Sequence, residues 1–138
     1  MVDDDPWMGE RIRRLLSSYS VEVLEARDGE TALRMVRDIP DLVVLDVMMT
    51  GLHGLHVLER MRRDPATQRV PVMVCTHFTK REILDQAQDL GACEIMDKIF
   101  DHRVFVLRTL HHLGLSAEQP ADSASGSPGG VRGPLGRP

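Results

Sequence analysis

The stretch DLVVLD, residues 41–46, sets four apolar residues between two aspartates. Its apolar run is too short for a helix and does not alternate with polar residues. A strand of this kind is covered on both faces, as in a parallel sheet. Parallel neighbours need long crossovers, usually helical, so helices are expected on either side of it. The flanking sequence agrees. DGETALRMVRD (28–38) precedes it with Ala32, Leu33 and Val36 on one face, and GLHVLERMRRD (54–64) follows with Leu55, Leu58 and Met61 on one face. Outward from these, VEVLEA (21–26), VPVMVCT (70–76) and CEIMD (93–97) read as strands. KREILDQAQDLG (80–91) and HRVFVLRTLHHLG (102–114) read as helices, the first closed by Gly91. At the start, Asp5 suits a helix N-cap and Pro6 the first helical position. Met8, Ile12, Leu15, Leu16 and Tyr19 then mark one helix face. Strands alternating with helices give an α/β fold with a parallel sheet.

Composition narrows the function. The chain has 138 residues, 42% of them hydrophobic but only 4% aromatic, so aliphatic side chains and Met must fill the core. A net charge of -4 argues against a general electrostatic grip on nucleic acid or an anionic membrane. No apolar run reaches the ~18 residues of a membrane helix, and a cytoplasmic protein is expected. Cys75 and Cys93 sit among apolar neighbours and read as buried, reduced thiols. From about Ser116 the sequence turns to Ser, Gly, Pro and Ala. The expected division is a folded domain over 1–115 and a disordered tail over 116–138.

Open parallel sheets bind ligands beyond the carboxyl ends of their strands. Asp3 and Asp4 precede the first helix, Asp46 ends the 41–46 run, Thr76 ends VMVC, and Lys98 follows EIMD. Three carboxylates, a hydroxyl and an ammonium therefore map to one edge. Clustered carboxylates suit a hard cation, Mg2+ above all. One carboxylate can act as nucleophile toward phosphorus, and a lysine can balance the charge of the transferring group. A hydroxyl that bonds the phosphoryl group only once it has arrived would make a switch.

The segments VDDDP, DLVVLDVMMTGLHG, VPVMVCT and GACEIMDKIF, in this order, resemble the signature segments of bacterial two-component response-regulator receiver domains. The resemblance runs from residue 2 to about 113. It implies a flavodoxin-like, doubly wound parallel sheet of five strands, order 2-1-3-4-5, with five flanking helices. It implies Asp46 as phosphoacceptor and Asp3, Asp4, Asp46 and the Met48 backbone carbonyl as Mg2+ ligands. Thr76 would be the switch hydroxyl and Lys98 the charge partner of the acceptor. The implied protein is a stand-alone signalling switch, not a turnover enzyme, with only Mg2+-dependent self-phosphorylation and slow loss of phosphate. A histidine kinase or phosphotransfer protein would supply the phosphoryl group. A downstream protein would read the fourth-helix, fifth-strand, fifth-helix face, with no direct binding of DNA or membrane.

Two other readings stay open: a degenerate receiver that binds a partner without phosphorylation, and a Mg2+-dependent phosphohydrolase. Met48 stands where such hydrolases carry a second, acid Asp. An acidic first turn also speaks against a flavin phosphate.

Departures from the family pattern are Ile99 where Pro is usual after the lysine, Thr50 for a loop Pro, His77 for a small residue, and Ile95 for an aromatic. A cis bond before a non-proline costs ~3–4 kcal/mol, so the Lys98–Ile99 bond should be trans. His77, Phe78 and Met48 are bulky and would slow attack by water on a phosphorylated Asp46. Only Met1 and Val2 precede the acids, so the first strand should be stunted and the fold weakened, or the native chain should start upstream. The histidine pairs His53/His56 and His111/His112 read as solvated helix residues.

Overall fold

The computed structural model describes residues 1–49, 53–77 and 80–116. Three parallel strands, β1 (Val43–Leu45), β2 (Val72–Thr76) and β3 (Glu94–Asp97), form a sheet in that order. Val43 pairs with Val72, and Met73 with Glu94. The helices are α1 (Pro6–Leu15), α2 (Gly29–Met35, prolonged by a 3-10 turn over Val36–Asp38), α3 (Gly54–Arg63), α4 (Arg81–Asp89) and α5 (His102–Leu113).

Aspartates cap the starts of α1, α2 and α5. Asp5 caps α1 by accepting from the Trp7 N–H, with Pro6 at the first position as expected. Asp28 accepts from Thr31 N–H ahead of α2, and Asp101 from Arg103 and Val104 ahead of α5. Gly114 closes α5 in the left-handed conformation, at φ 72°.

The side-chain alternation of the strands explains why all of them are apolar. Val43, Leu45, Val72 and Val74 face one side and pack with Ala32, Val36, Leu58 and Met61 of α2, its 3-10 extension and α3. Val44, Met73 and Cys75 face the other side and meet Met8, Ile12 and Leu16, together with Phe105 of α5. Phe105 is fully buried, which favours folding by ~1.5–3 kcal/mol relative to an exposed ring. Helices cover both faces of the sheet, as the uninterrupted apolar strands require.

The expected strand at 21–26 carries no ladder, so the described sheet has three strands rather than five. What remains are two isolated parallel bridges, Val2 to Ala26 and Val2 to Leu45. Val2 N–H donates to Val44 O and Val2 O accepts from Asp46 N–H, at 2.7 and 2.9 Å. On the other side Ala26 N–H donates to Met1 O and Asp3 N–H to Ala26 O, at 2.9 and 3.0 Å. Ahead of Ala26 the contact is a single hydrogen bond, from the Met1 nitrogen to Leu24 O at 2.8 Å, and not a ladder. Residues 117–138, and so nearly all of the expected tail, lie outside the described residues, as do Thr50 and Phe78.

Candidate functional site

The carboxyl ends of the strands bring together the residues that the sequence places there. Asp46 directly follows β1, Thr76 ends β2, and Lys98 directly follows β3. Asp3 follows the bridging residue Val2. Asp3, Asp46 and Thr76 are all buried, at 4%, 3% and 2% exposure. Burying two carboxylates so deeply demands a charge partner. Lys98 supplies it, with Nζ 2.7 Å from Asp3 Oδ2 and 3.1 Å from Asp46 Oδ2. The Lys98 backbone is fixed by its N–H, which donates to Thr76 O at 3.1 Å. The β2–β3 register, Thr76 against Asp97, thus delivers the ammonium to the site. The Lys98–Ile99 bond is trans, as expected, and Ile99 is exposed.

Backbone donors hold the remaining carboxylate oxygens. Asp3 Oδ1 accepts from Asp5 N–H at 2.9 Å, and Asp46 Oδ1 from Met48 N–H at 3.2 Å. Asp3 Oδ2 meets the Lys98 ammonium at 2.7 Å. Burial pushes the Asp3 carboxyl up from its ordinary pKa, and the Asp46 charge adds to this against the pull of Lys98 and the Asp5 N–H. Burial pulls the Lys98 ammonium down, but its bonds to Asp3 and Asp46 and their charges outweigh it and hold it above its ordinary value.

Asp3, Asp4 and Asp46 each offer an oxygen within 4.8 Å of the others. Three hard oxygen donors fit a cation such as Mg2+. Met48 is half exposed, two residues past Asp46.

Two residues of the site were not singled out by sequence reasoning. His53 caps α3, its Nδ1 accepting from Leu55 N–H at 3.1 Å, rather than lying solvated on the helix face. Gly54 donates its N–H to Val47 O at 2.9 Å and lies against the Asp46 backbone. Only Gly at a strand-to-helix turn signalled it. His77 is exposed, with Nδ1 4.0 Å from Asp97 Oδ1. The two cysteines divide: Cys75 is buried, and burial raises its thiol pKa to about 12, while Cys93 is exposed, against expectation, because it precedes the half-buried strand β3.

Comparisons with known proteins bear on the family and the fold. Residues 1–109 match the family model of the response regulator receiver domain. Response regulator PleD of Caulobacter vibrioides is 36% identical over 102 residues, which are 73% of this chain and 22% of that protein. Transcriptional regulatory protein CpxR of Escherichia coli K12 is 34% identical over 132 residues, 93% of this chain and 55% of that protein. The chain therefore spans about half or less of these curated relatives. The crystal structure of a putative response regulator from Chloroflexus aurantiacus superposes with a TM-score of 0.74 at 28% identity, over 82% of this chain and 93% of that one.

Proposed function

The chain belongs to the response-regulator receiver family, and on that premise we propose that it is a phosphoacceptor switch of a two-component system, phosphorylated on Asp46. The observation that carries this reading is Lys98 Nζ bridging Asp3 and Asp46 beside a third carboxylate, Asp4. Asp46 is the acceptor because it stands at the end of the central apolar strand with one oxygen held by Met48 N–H and the other by Lys98. Its carboxylate forms the new P–O bond. The P–N bond of a phosphohistidine donor on a kinase or phosphotransfer protein breaks, and the imidazole leaves and takes up a proton. Lys98 balances the charge of the arriving group. Thr76, buried beside it on β2, offers the hydroxyl that bonds the phosphoryl oxygen afterwards.

Asp3, Asp4 and Asp46, with the Met48 carbonyl, would hold Mg2+, which supplies positive charge to the phosphoryl oxygens. The chain does not turn over substrate: Met48 stands where a phosphohydrolase needs an acid. Val2 bridged to both Ala26 and Leu45 supports a strand order 2-1-3-4-5, with residues 1–2 and 21–26 as the first two members. The readout face is that of α4, β3 and α5, where Val104 and Leu107 are exposed. No helix of the described residues is long and apolar enough to cross a membrane, and we place the protein in the cytoplasm with protein partners only.

The test is incubation with acetyl phosphate and Mg2+, read by intact mass. One phosphoryl adduct, absent without Mg2+ and absent in Asp46→Asn, is expected. No adduct on folded wild-type protein overturns the switch and leaves a receiver that binds partners without phosphorylation.

A further inference from the structure

Asp5, Asp28 and Asp101 cap α1, α2 and α5 with carboxylates, which stay acceptors throughout the neutral range. An imidazole caps α3 instead. His53 Nδ1 accepts from Leu55 N–H at 3.1 Å. An imidazole nitrogen accepts only while it carries no proton, so this bond requires a neutral ring with its hydrogen on Nε2. Protonation would set a second N–H against that of Leu55. It would also place a cation at the amino end of a helix, where the helix dipole opposes it.

The surroundings of the ring enter the same balance. His53 is half-buried, and the ring centroid of His56, on the next turn, is 5.9 Å away. Asp46 acts on the ring from the end of β1. Glu59 and Asp89 line the groove between α3 and α4 that His53 and His56 also line. α2 packs on α3 through apolar Ala32 and Val36. Burial is the main cause that lowers the His53 pKa, the His56 charge assists, and the Asp46 charge opposes without reversing it.

One residue joins this cap to Asp46. Gly54, next in the chain, donates its N–H to Val47 O at 2.9 Å and lies against the Asp46 backbone. His53 O accepts from His56 and Val57 N–H, so His53 holds the first turn of α3 with both its side chain and its backbone.

We propose that His53 is a positioning residue for the phosphorylation of Asp46: neutral, it closes the first turn of α3 against the acceptor, and protonated, it releases that turn. The proposal rests on Asp46 being the phosphoacceptor. The closed turn binds the proton less tightly than the opened one, so acid favours opening. Asp46 is therefore held for reaction at neutral pH and progressively let go below it.

The test follows acetyl-phosphate labelling of Asp46 with Mg2+, read by intact mass, between pH 5 and pH 8. Wild type is compared with His53→Asn, which keeps a favoured cap that does not titrate, with His53→Ala, which has none, and with His56→Gln. The ratio of wild-type to His53→Asn rates removes the titration of acetyl phosphate itself. That ratio should be flat near pH 8 and fall by about threefold or more toward pH 5, with its midpoint below 6.5. His53→Ala should be slower than His53→Asn at every pH. His56→Gln should keep the fall and move its midpoint upward, since the neighbouring charge is gone. Without any phosphoryl donor, amide protection at Gly54 and Leu55 should drop over the same range in wild type and not in His53→Asn. Labelling whose ratio is independent of pH overturns the role of His53 alone. So does a fall that His56→Gln abolishes, protection at Gly54 that ignores pH, or His53→Ala labelling at the wild-type rate at pH 8. If His53→Ala does not fold, the comparison with His53→Asn decides. No labelling of any chain at any pH is instead a failure of the switch reading, and the role of His53 falls with it even where the protection at Gly54 still follows pH.

Discussion

Gly54 lies so close to Asp46 that a Cβ built on it would come within 2.2 Å of the Asp46 carbonyl oxygen and 2.7 Å of Val47 Cα. Both neighbours are backbone, so neither can rotate away. The first turn of α3 thus fixes the path of the chain through the proposed acceptor, because Gly54 N–H also holds Val47 O. Gly54→Ala is expected to cost ~2–3 kcal/mol in urea unfolding. It should also reduce the rate of acetyl-phosphate labelling at Asp46 under conditions where the variant is fully folded. Labelling at the wild-type rate would show that the carbonyl path does not govern the acceptor.

Lys98 is the cation shared by Asp3 and Asp46, and its side chain is only 10% exposed. Removing one member of a buried charge set leaves the others uncompensated, at ~3 kcal/mol or more. Lys98→Ala should therefore lower Tm. Millimolar Mg2+ should restore more of the loss in this variant than it adds to wild type, because a cation at the three carboxylates substitutes for the missing ammonium. Equal Mg2+ effects on the two proteins would place the cation away from these carboxylates.

The acids at the sheet edge were legible because each follows an apolar run directly, where a buried charge is conspicuous. The helices were legible from their period and caps, Asp5 and Asp28 among them. Segment 21–26 has strand chemistry in VEVLEA, but a strand is a property of two chains, and among the described residues its strand pairing is limited to the Val2–Ala26 bridge and the Met1–Leu24 hydrogen bond. The role of Gly54 was hidden, since its contact with Asp46 depends on how a strand-to-helix loop doubles back. His53 was missed as a cap because imidazole is not among the favoured capping groups.

Glu94 ties β3 to α5 through one carboxylate oxygen, which accepts from Arg108 Nη2 at 2.7 Å and lies 3.0 Å from His112 Nε2. The hydrogen bond with His112 is the main cause that lowers its pKa, with Arg108 adding and burial opposing. A carboxylate lowered in the folded state stabilises above its unfolded pKa, and that contribution is lost as pH falls through the folded value. Glu94→Gln should cost ~0.5–1 kcal/mol at pH 7, since the pair is partly exposed. The cost should shrink as pH falls below 4.5, the ordinary value from which the folded carboxyl is lowered. A cost independent of pH in urea titrations would show that packing, not charge, joins β3 to α5.

Met1 presents the reverse case at the other end of the pH scale. Burial is the main cause that lowers its ammonium pKa from 8.0 to about 6, with the Glu25 charge opposing and the Arg13 charge assisting. The unfolded chain then binds the proton more tightly than the folded one. Stability from this group is complete above pH 8 and is lost as pH falls through 6, a difference of roughly 2–3 kcal/mol. Nα-acetylation removes the titration and keeps an N–H for Leu24 O. The acetylated chain should therefore exceed the unmodified one in urea midpoint by more at pH 5 than at pH 8.5. A gap that does not change with pH would mean that the Met1 ammonium stays hydrated in the fold, and the loss of stability toward acid would then have to arise elsewhere.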